Sequence, residues 1–290
     1  MFSSSHAPMH QSLLGLCLFG LLQSIRTSSI LFSGGTVIAF DQSTEGLQVL
    51  RNYSVLVVDD IVQSIFADPS NTTTPDGTEN VDITGMILSP GFIDTHAHGW
   101  QTAFRTIASN TSLPEYFYRY GEFASAGLYT PEDVYIGQLA GLLEKLNAGT
   151  TTVLDHAHGV WSDETSEAGF NGSFDSGSRV FHAQTIHELT NGYTIDDQIS
   201  ELLNMSEDPR LKNSTVSLGL SYDGFCTATP DVVNSVIDAA KYGGVDQVGV
   251  SRIVAAACIL PENPGVLAGG SRGRGWKDAA SRVIRTRSAE

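Results

Sequence analysis

Apolar positions follow two different periods along the chain. Residues 30–32, 36–40, 53–58 and 61–66 are short apolar, β-branched runs, separated by Gly34-Gly35 and Asp59-Asp60. Such runs between turn residues read as strands of a small β-unit. Residues 71–80 form a polar loop around Pro75-Asp76-Gly77. An apolar run over 81–88 follows. Pro90-Gly91 breaks it, and Phe92-Ile93 restarts an extended segment.

Beyond residue 130 the period lengthens. Thr130-Pro131-Glu132-Asp133 is a helix start, with a Thr cap, Pro at the first position and acids in the first turn. The predicted helix runs to about Asn147 and buries Val134, Ile136, Leu139, Leu142, Leu143 and Leu146, with Gly149 ending it. Residues 150–154 read as a buried strand, 179–182 as a third, 195–203 as a helix and 216–222 as a fourth strand. A last helix starts at Thr229-Pro230-Asp231 and runs to about Lys241. Strands alternating with helices predict an α/β fold with parallel strands and crossover helices. Residues 114–120 are rich in aromatics and are expected to pack.

The candidate chemistry sits where Pro90-Gly91-Phe92-Ile93-Asp94-Thr95-His96-Ala97-His98 leaves the first of these strands. Residues i and i+2 of a strand share a face, so His96 and His98 point the same way, with Asp94 on that face. Two imidazoles on one face can grip a metal ion from one side. Asp155, His156 and His158 fall near the end of the second strand, and His182 near the third.

The stretch from Pro90 to His98 resembles the first-strand signature of the metal-dependent amidohydrolase superfamily. Residues 99–105 and 147–156, the latter with Gly149-Thr150-Thr151-Thr152 leading to Asp155, are similar to its cytosine deaminase and chlorohydrolase branch. The likeness runs from about Ile30 to Asp246. It implies a partial TIM-like (β/α) barrel of about four βα units with a small N-terminal β-unit. It implies a divalent metal, zinc first, held by His96 and His98. Metal-dependent hydrolysis of a carbon–nitrogen bond other than a peptide bond, such as deamination of an aminated ring, follows from it. The partner is then a small-molecule substrate. By the same resemblance Gln101 and Arg105 order the first loop, and Gln101, His156, His158 and His182 are candidates to shape the substrate pocket. The family's later ligands and its proton-shuttling glutamate lie on strands that have no counterpart here. No catalytic residue is therefore assigned, and the chain is expected to be a truncated member with little activity. The competing expectation is a secreted, non-catalytic glycoprotein that keeps half the fold as a binding module.

Composition adjusts this picture at its edges. The formal charge of -16 argues against nucleic acid or an anionic membrane as partner. Three scattered cysteines signal neither a disulfide framework nor a cysteine zinc site. Residues 13–22 are apolar but too few to span a bilayer, which takes about 20 residues. They fit a signal-like segment over residues 1–29. N-x-S/T triplets at Asn52, Asn71, Asn110, Asn171, Asn204 and Asn213 point the same way, toward secretion rather than the cytoplasm. The expected organisation is then a β-sandwich-type unit over 30–89, a partial barrel over 90–246 and a basic, Gly-rich tail over 247–290. That tail is expected to be foreign to the barrel, through a retained intron or a frame change. An open half barrel exposes strand edges, so pairing with another copy is a further expectation.

Overall fold

The computed structural model describes residues 28–67 and 72–242. The signal-like segment before Ser28, the Asn71 triplet and the basic tail lie outside the described residues. Contacts divide the chain into two units, one up to Pro90 and one from Gly91.

In the first unit, β1 (Ser29–Asp41), β2 (Gly46–Val58), β3 (Ile61–Phe66), β4 (Glu79–Asp82) and β5 (Ile87–Leu88) form one sheet. Its order is β3-β2-β1-β4, and β5 also pairs with β1. Among the described residues this unit is a single sheet. The two short runs around Gly34-Gly35 are likewise one strand, because register shifts on either side of Gly35 absorb the glycines as a bulge. Gly34 takes φ +79°, a conformation open to glycine and strained for other residues. Ile83 packs so closely on Gly35 that a side chain there would collide with it.

The second unit holds four parallel strands in the order β6-β7-β8-β9: β6 (Phe92–Ala97), β7 (Thr150–Ala157), β8 (Arg179–Ile186) and β9 (Val216–Tyr222). The crossovers carry α1 (Leu113–Arg119), α2 (Glu122–Ser125), α3 (Pro131–Asn147), α4 (Asp163–Asp175) and α5 (Ile195–Ser206). The last helix, α6 (Pro230–Tyr242), follows β9. This is a mixed α/β fold of the partial-barrel kind. Local chemistry sets the helix starts. Thr130 accepts from Asp133 N while the Asp133 carboxylate accepts from Thr130 N, and Thr194 with Asp197 repeats that reciprocal cap. Gly149, at φ +90°, turns the chain from α3 into β7.

Residues of one parity along each strand face the helices. Val153 and Val180 join Ala97 and Leu142 in one buried cluster. Val216, Leu218, Leu220 and Tyr222 join Ile186, Leu202 and Val236 in a larger one. The buried face of α3 differs from the expected one. Val134 and Leu142 are buried, but so are Gly137, Gln138 and Gly141, while Ile136, Leu143 and Leu146 are exposed. The reason is steric. A short 3-10 turn over Gly99–Phe104 lies directly against α3, and only glycine lets the two backbones meet that closely. A side chain at Gly141 would strike the Gly99 carbonyl, and one at Gly137 the Trp100 carbonyl. Gly141→Ala is therefore expected to destabilise by about 1–3 kcal/mol through overpacking. Its helix propensity alone predicts a gain of about 1 kcal/mol. The midpoint of urea denaturation reads the sign.

Among the described residues no helix is long and apolar enough to cross a membrane. Of the described asparagines in N-x-S/T triplets, Asn52, Asn110, Asn204 and Asn213 are exposed and Asn171 is half-buried on α4.

Candidate metal centre

His96 lies in β6 and His98 directly after it, at the C-terminal end of the parallel sheet. That is the end where barrels of this kind gather their functional groups. Their ring centres are 4.7 Å apart. His156, from the same end of β7, brings its ring within 5.3 Å of His98 and 5.7 Å of His96. His158 stands 4.2 Å from His98 and 5.6 Å from His156. Four of the sequence candidates thus form one group of imidazoles. As it stands, no group of three or more His, Cys, Asp or Glu side chains among the described residues is arranged to hold a metal ion.

Hydrogen bonds fix which ring nitrogens carry protons. A carbonyl oxygen only accepts, so His98 Nδ1–H donates to His156 O at 3.0 Å and Nε2 keeps its lone pair in the neutral ring. Indole N–H only donates, so Trp100 Nε1–H occupies the lone pair of His158 Nδ1 at 3.2 Å. His156 Nε2–H donates to the Asp223 carboxylate at 3.0 Å. Its Nδ1 is buried and has no partner among the described residues. That orphaned nitrogen, on a ring 5.3 Å from His98 and 5.7 Å from His96, is an observation in favour of a cation near the His96–His98 pair.

The electrostatics match neutral, ligand-ready imidazoles. Burial, together with the adjoining His156 and His96 rings, outweighs the bond to His156 O and lowers the His98 pKa from 6.5 to about 4. Burial and the His156 charge lower His96 in the same direction. Burial raises Asp223, but the His156 hydrogen bond and the surrounding imidazoles outweigh it and leave the pKa below the usual carboxylate value. Glu122, on α2, is pushed up by burial and by the charge of Asp223. Neither acid was picked out from the sequence. Asp223 directly follows the fourth strand, a place that could have flagged it. Glu122 sits in a crossover with no periodic pattern.

The remaining candidates lie elsewhere. Asp94 pairs with Lys145 at 2.6 Å and so is tied to α3. Gln101 uses both ends of its amide within the first loop: its Nε2 donates to Tyr120 O at 3.1 Å, and its Oε1 accepts from Tyr116 at 3.0 Å. Arg105 pairs with Glu144 on the surface. His182 does not join the other imidazoles. It points to the helix layer, fully buried against Phe170, and shares a 3.0 Å hydrogen bond with Ser173 Oγ. The pocket role expected of it is corrected by the pleat, which turns residue 182 toward α4.

Asp155 is the hinge between that buried layer and the histidines. Its Oδ1 accepts from Gly99 N at 2.8 Å, just after His98. Its Oδ2 accepts from Gln138 Nε2 at 2.6 Å. Gln138 also donates to Ser173 Oγ at 3.0 Å, and Gln184 donates to Ser166 Oγ at 2.6 Å.

Comparison with known proteins agrees with this architecture. Residues 87–163 match the model of the amidohydrolase family. A 5-methylthioadenosine/S-adenosylhomocysteine deaminase of Desulforudis audaxviator is 37% identical over 93 residues, 31% of this chain and 21% of the relative. A 5'-deoxyadenosine deaminase of Methanosarcina mazei is 38% identical over 88 residues, 30% of this chain and 20% of the relative. Among solved structures, the guanine deaminase of C. acetobutylicum with bound guanine superposes with a TM-score of 0.61 at 16% identity. The match covers 74% of this chain and 51% of that one. An adenosine deaminase of Xanthomonas campestris with bound zinc gives 0.55 at 16% identity, covering 74% and 47%. The chain thus spans about half the length of these solved chains and about a fifth of the curated relatives. The segment matched to the amidohydrolase family carries the histidine strand, its first crossover and the start of the next.

Proposed function

We propose that this chain carries the metal-holding end of a hydrolase acting on carbon–nitrogen bonds other than peptide bonds, with an aminated purine-like ring as substrate class. The observation that carries the reading is the His96–His98 pair, two imidazoles 4.7 Å apart at the rim of a parallel sheet with lowered proton affinity. A ligand imidazole must be neutral, and the lowered proton affinity of both rings favours that form. Support for the substrate class comes from the relatives, named as deaminases of adenosine derivatives, and from the guanine-bound neighbour. Family members use a divalent metal, and the zinc-bound neighbour makes zinc the first choice.

When bound, such an ion lowers the pKa of a coordinated water toward neutrality and makes hydroxide available. The chain's own residues do the rest. His96 and His98 present lone pairs. Trp100 and Asp155 hold the loop that carries His98. Glu122 has its proton affinity raised by burial, which favours its holding a proton.

The purified chain is expected to retain one equivalent of zinc after dialysis, and His96→Ala with His98→Ala is expected to lose it. Ammonia release from guanine and 5'-deoxyadenosine is measured on the same samples. Zinc without ammonia would remove the catalytic half of the reading for this chain. Neither zinc nor ammonia would leave a non-catalytic module.

A further inference from the structure

We infer that Asn191 is a site of spontaneous covalent modification, at which the backbone nitrogen of Gly192 closes onto the side-chain amide and the folded chain converts Asn191 to aspartate and isoaspartate.

Two asparagines of the chain precede glycine, Asn171 and Asn191. Glycine has no side chain to shield its backbone nitrogen or to restrict its rotation, so these two dipeptides are the ones most open to the reaction. The Gly192 nitrogen attacks Cγ of Asn191. A Cγ–N bond forms, the Cγ–Nδ2 bond breaks, and Nδ2 leaves as ammonia with the proton of the Gly192 N–H. Water then opens the cyclic imide. Entry at Cγ gives aspartate, and entry at the backbone carbonyl carbon gives isoaspartate. No oxidant or reductant takes part.

The fold separates the two dipeptides. Asn171 lies half-buried inside α4, and Gly172 is buried against Gln138 and the Tyr135 carbonyl. The helix fixes the backbone angles there and engages the backbone N–H groups of its interior, which keeps the imide from closing. Asn191 is exposed, in the irregular stretch between β8 and α5. Gly192 N makes no backbone hydrogen bond among the described residues. Gly192 takes φ +93°, and the space where a side chain would stand is open. Tyr193 N–H donates to Asn191 Oδ1 at 3.1 Å. That bond curls the side chain forward along its own backbone, toward the peptide that holds Gly192 N.

The same amide has a structural task. Asn191 Nδ2 donates to Trp161 O at 2.8 Å. A carboxylate only accepts, so the product sets two acceptors against each other. Isoaspartate also lengthens the backbone. The loop that carries Trp161 is then left with its tie from His187 Nε2–H to Val160 O at 2.8 Å. The Trp161 ring meets the Trp100 ring at 5.1 Å, and Trp100 bonds His158, so the change reaches the packing beside the histidines.

The test ages the natural full chain in mildly alkaline buffer, folded and, in parallel, unfolded in guanidinium chloride. Peptide mapping by mass spectrometry follows each asparagine, and heavy-oxygen water marks the oxygen that enters with each conversion. The inference expects Asn191 to be lost from the folded chain while Asn171 stays intact, and both to be lost at similar rates from the unfolded chain. The aged chain and Asn191→Asp are expected to melt lower and to shift the tryptophan emission. Asn191 as long-lived as Asn171 in the folded chain, whether both persist or both are lost, overturns the site. An Asn191→Asp chain with unchanged melting and emission overturns the structural consequence and leaves the modification standing.

Discussion

Asp155→Ala is expected to cost several kcal/mol of stability and to release the loop that carries His98. The carboxyl is fully buried and makes no contact with solvent. It holds Gly99 N–H at 2.8 Å and Gln138 Nε2 at 2.6 Å. Alanine leaves both donors without a partner in a dry layer. Each costs about 1–3 kcal/mol, against a total stability of about 5–15 kcal/mol for a typical domain. The damage spreads, because Gln138 also bonds Ser173, which in turn bonds His182. Asp155→Asn is expected to cost much less. Its remaining carbonyl oxygen accepts from Gly99, and the Gln138 amide can turn to meet the new NH2 group. Urea denaturation of the two variants checks the ranking. An alanine variant within about 0.5 kcal/mol of the natural chain would show that the network carries no stability. Zinc affinity should fall in the alanine variant at protein concentrations and temperatures where it is still folded, since Gly99 anchors the residue next to His98.

The extent to which this was legible in the sequence follows from which signals are local. The strand positions, the Thr130 cap and the β–α order depend on neighbours within a few residues, and the fourth strand falls on Val216–Tyr222 as read. The histidine pair was legible for the same reason, since a period of two is fixed by the strand itself. Four things were not. Helix α4, DETSEAGFNGSFD, has no apolar period, and what holds it is the Ser162 cap together with buried Ser166, Gly169, Phe170 and Ser173. The buried face of α3 was misread because an apolar stripe was expected where the turn at Gly99 needs glycine. His182 was grouped with the wrong layer. The alternation in β8 puts Val180, His182, Gln184 and Ile186 on one side, and the partners that reveal which side, Ser173 and Ser166, come from a helix the pattern did not predict. Asp223 was missed because its importance exists only through His156, 67 residues away in the chain.

Stability of the metal-free chain is expected to fall as pH drops from about 6.5 toward 4. Burial lowers the proton affinity of His96, His98, His158, His182 and His187. In the unfolded chain these rings titrate near 6.5. Below that value the unfolded chain takes up protons that the folded one refuses, so stability rises with pH across this window. The contribution is fully present above pH 6.5 and is lost as pH falls through the folded values, about 4 for His98. His98 alone accounts for a loss of order 3 kcal/mol. The lowered carboxyls of Asp94 and Asp223 act in the same sense, but only below their usual value of 3.8. Glu122 and Glu201, whose proton affinity burial raises, act in the opposite sense and offset part of the histidine contribution. Urea midpoints measured with chelator between pH 7.5 and 4.5 should decline steadily, and a flat profile would mean that the rings are solvated and charged in the folded state. Zinc should steepen the decline, because the same protons that destabilise the fold also compete with the ion for His96 and His98.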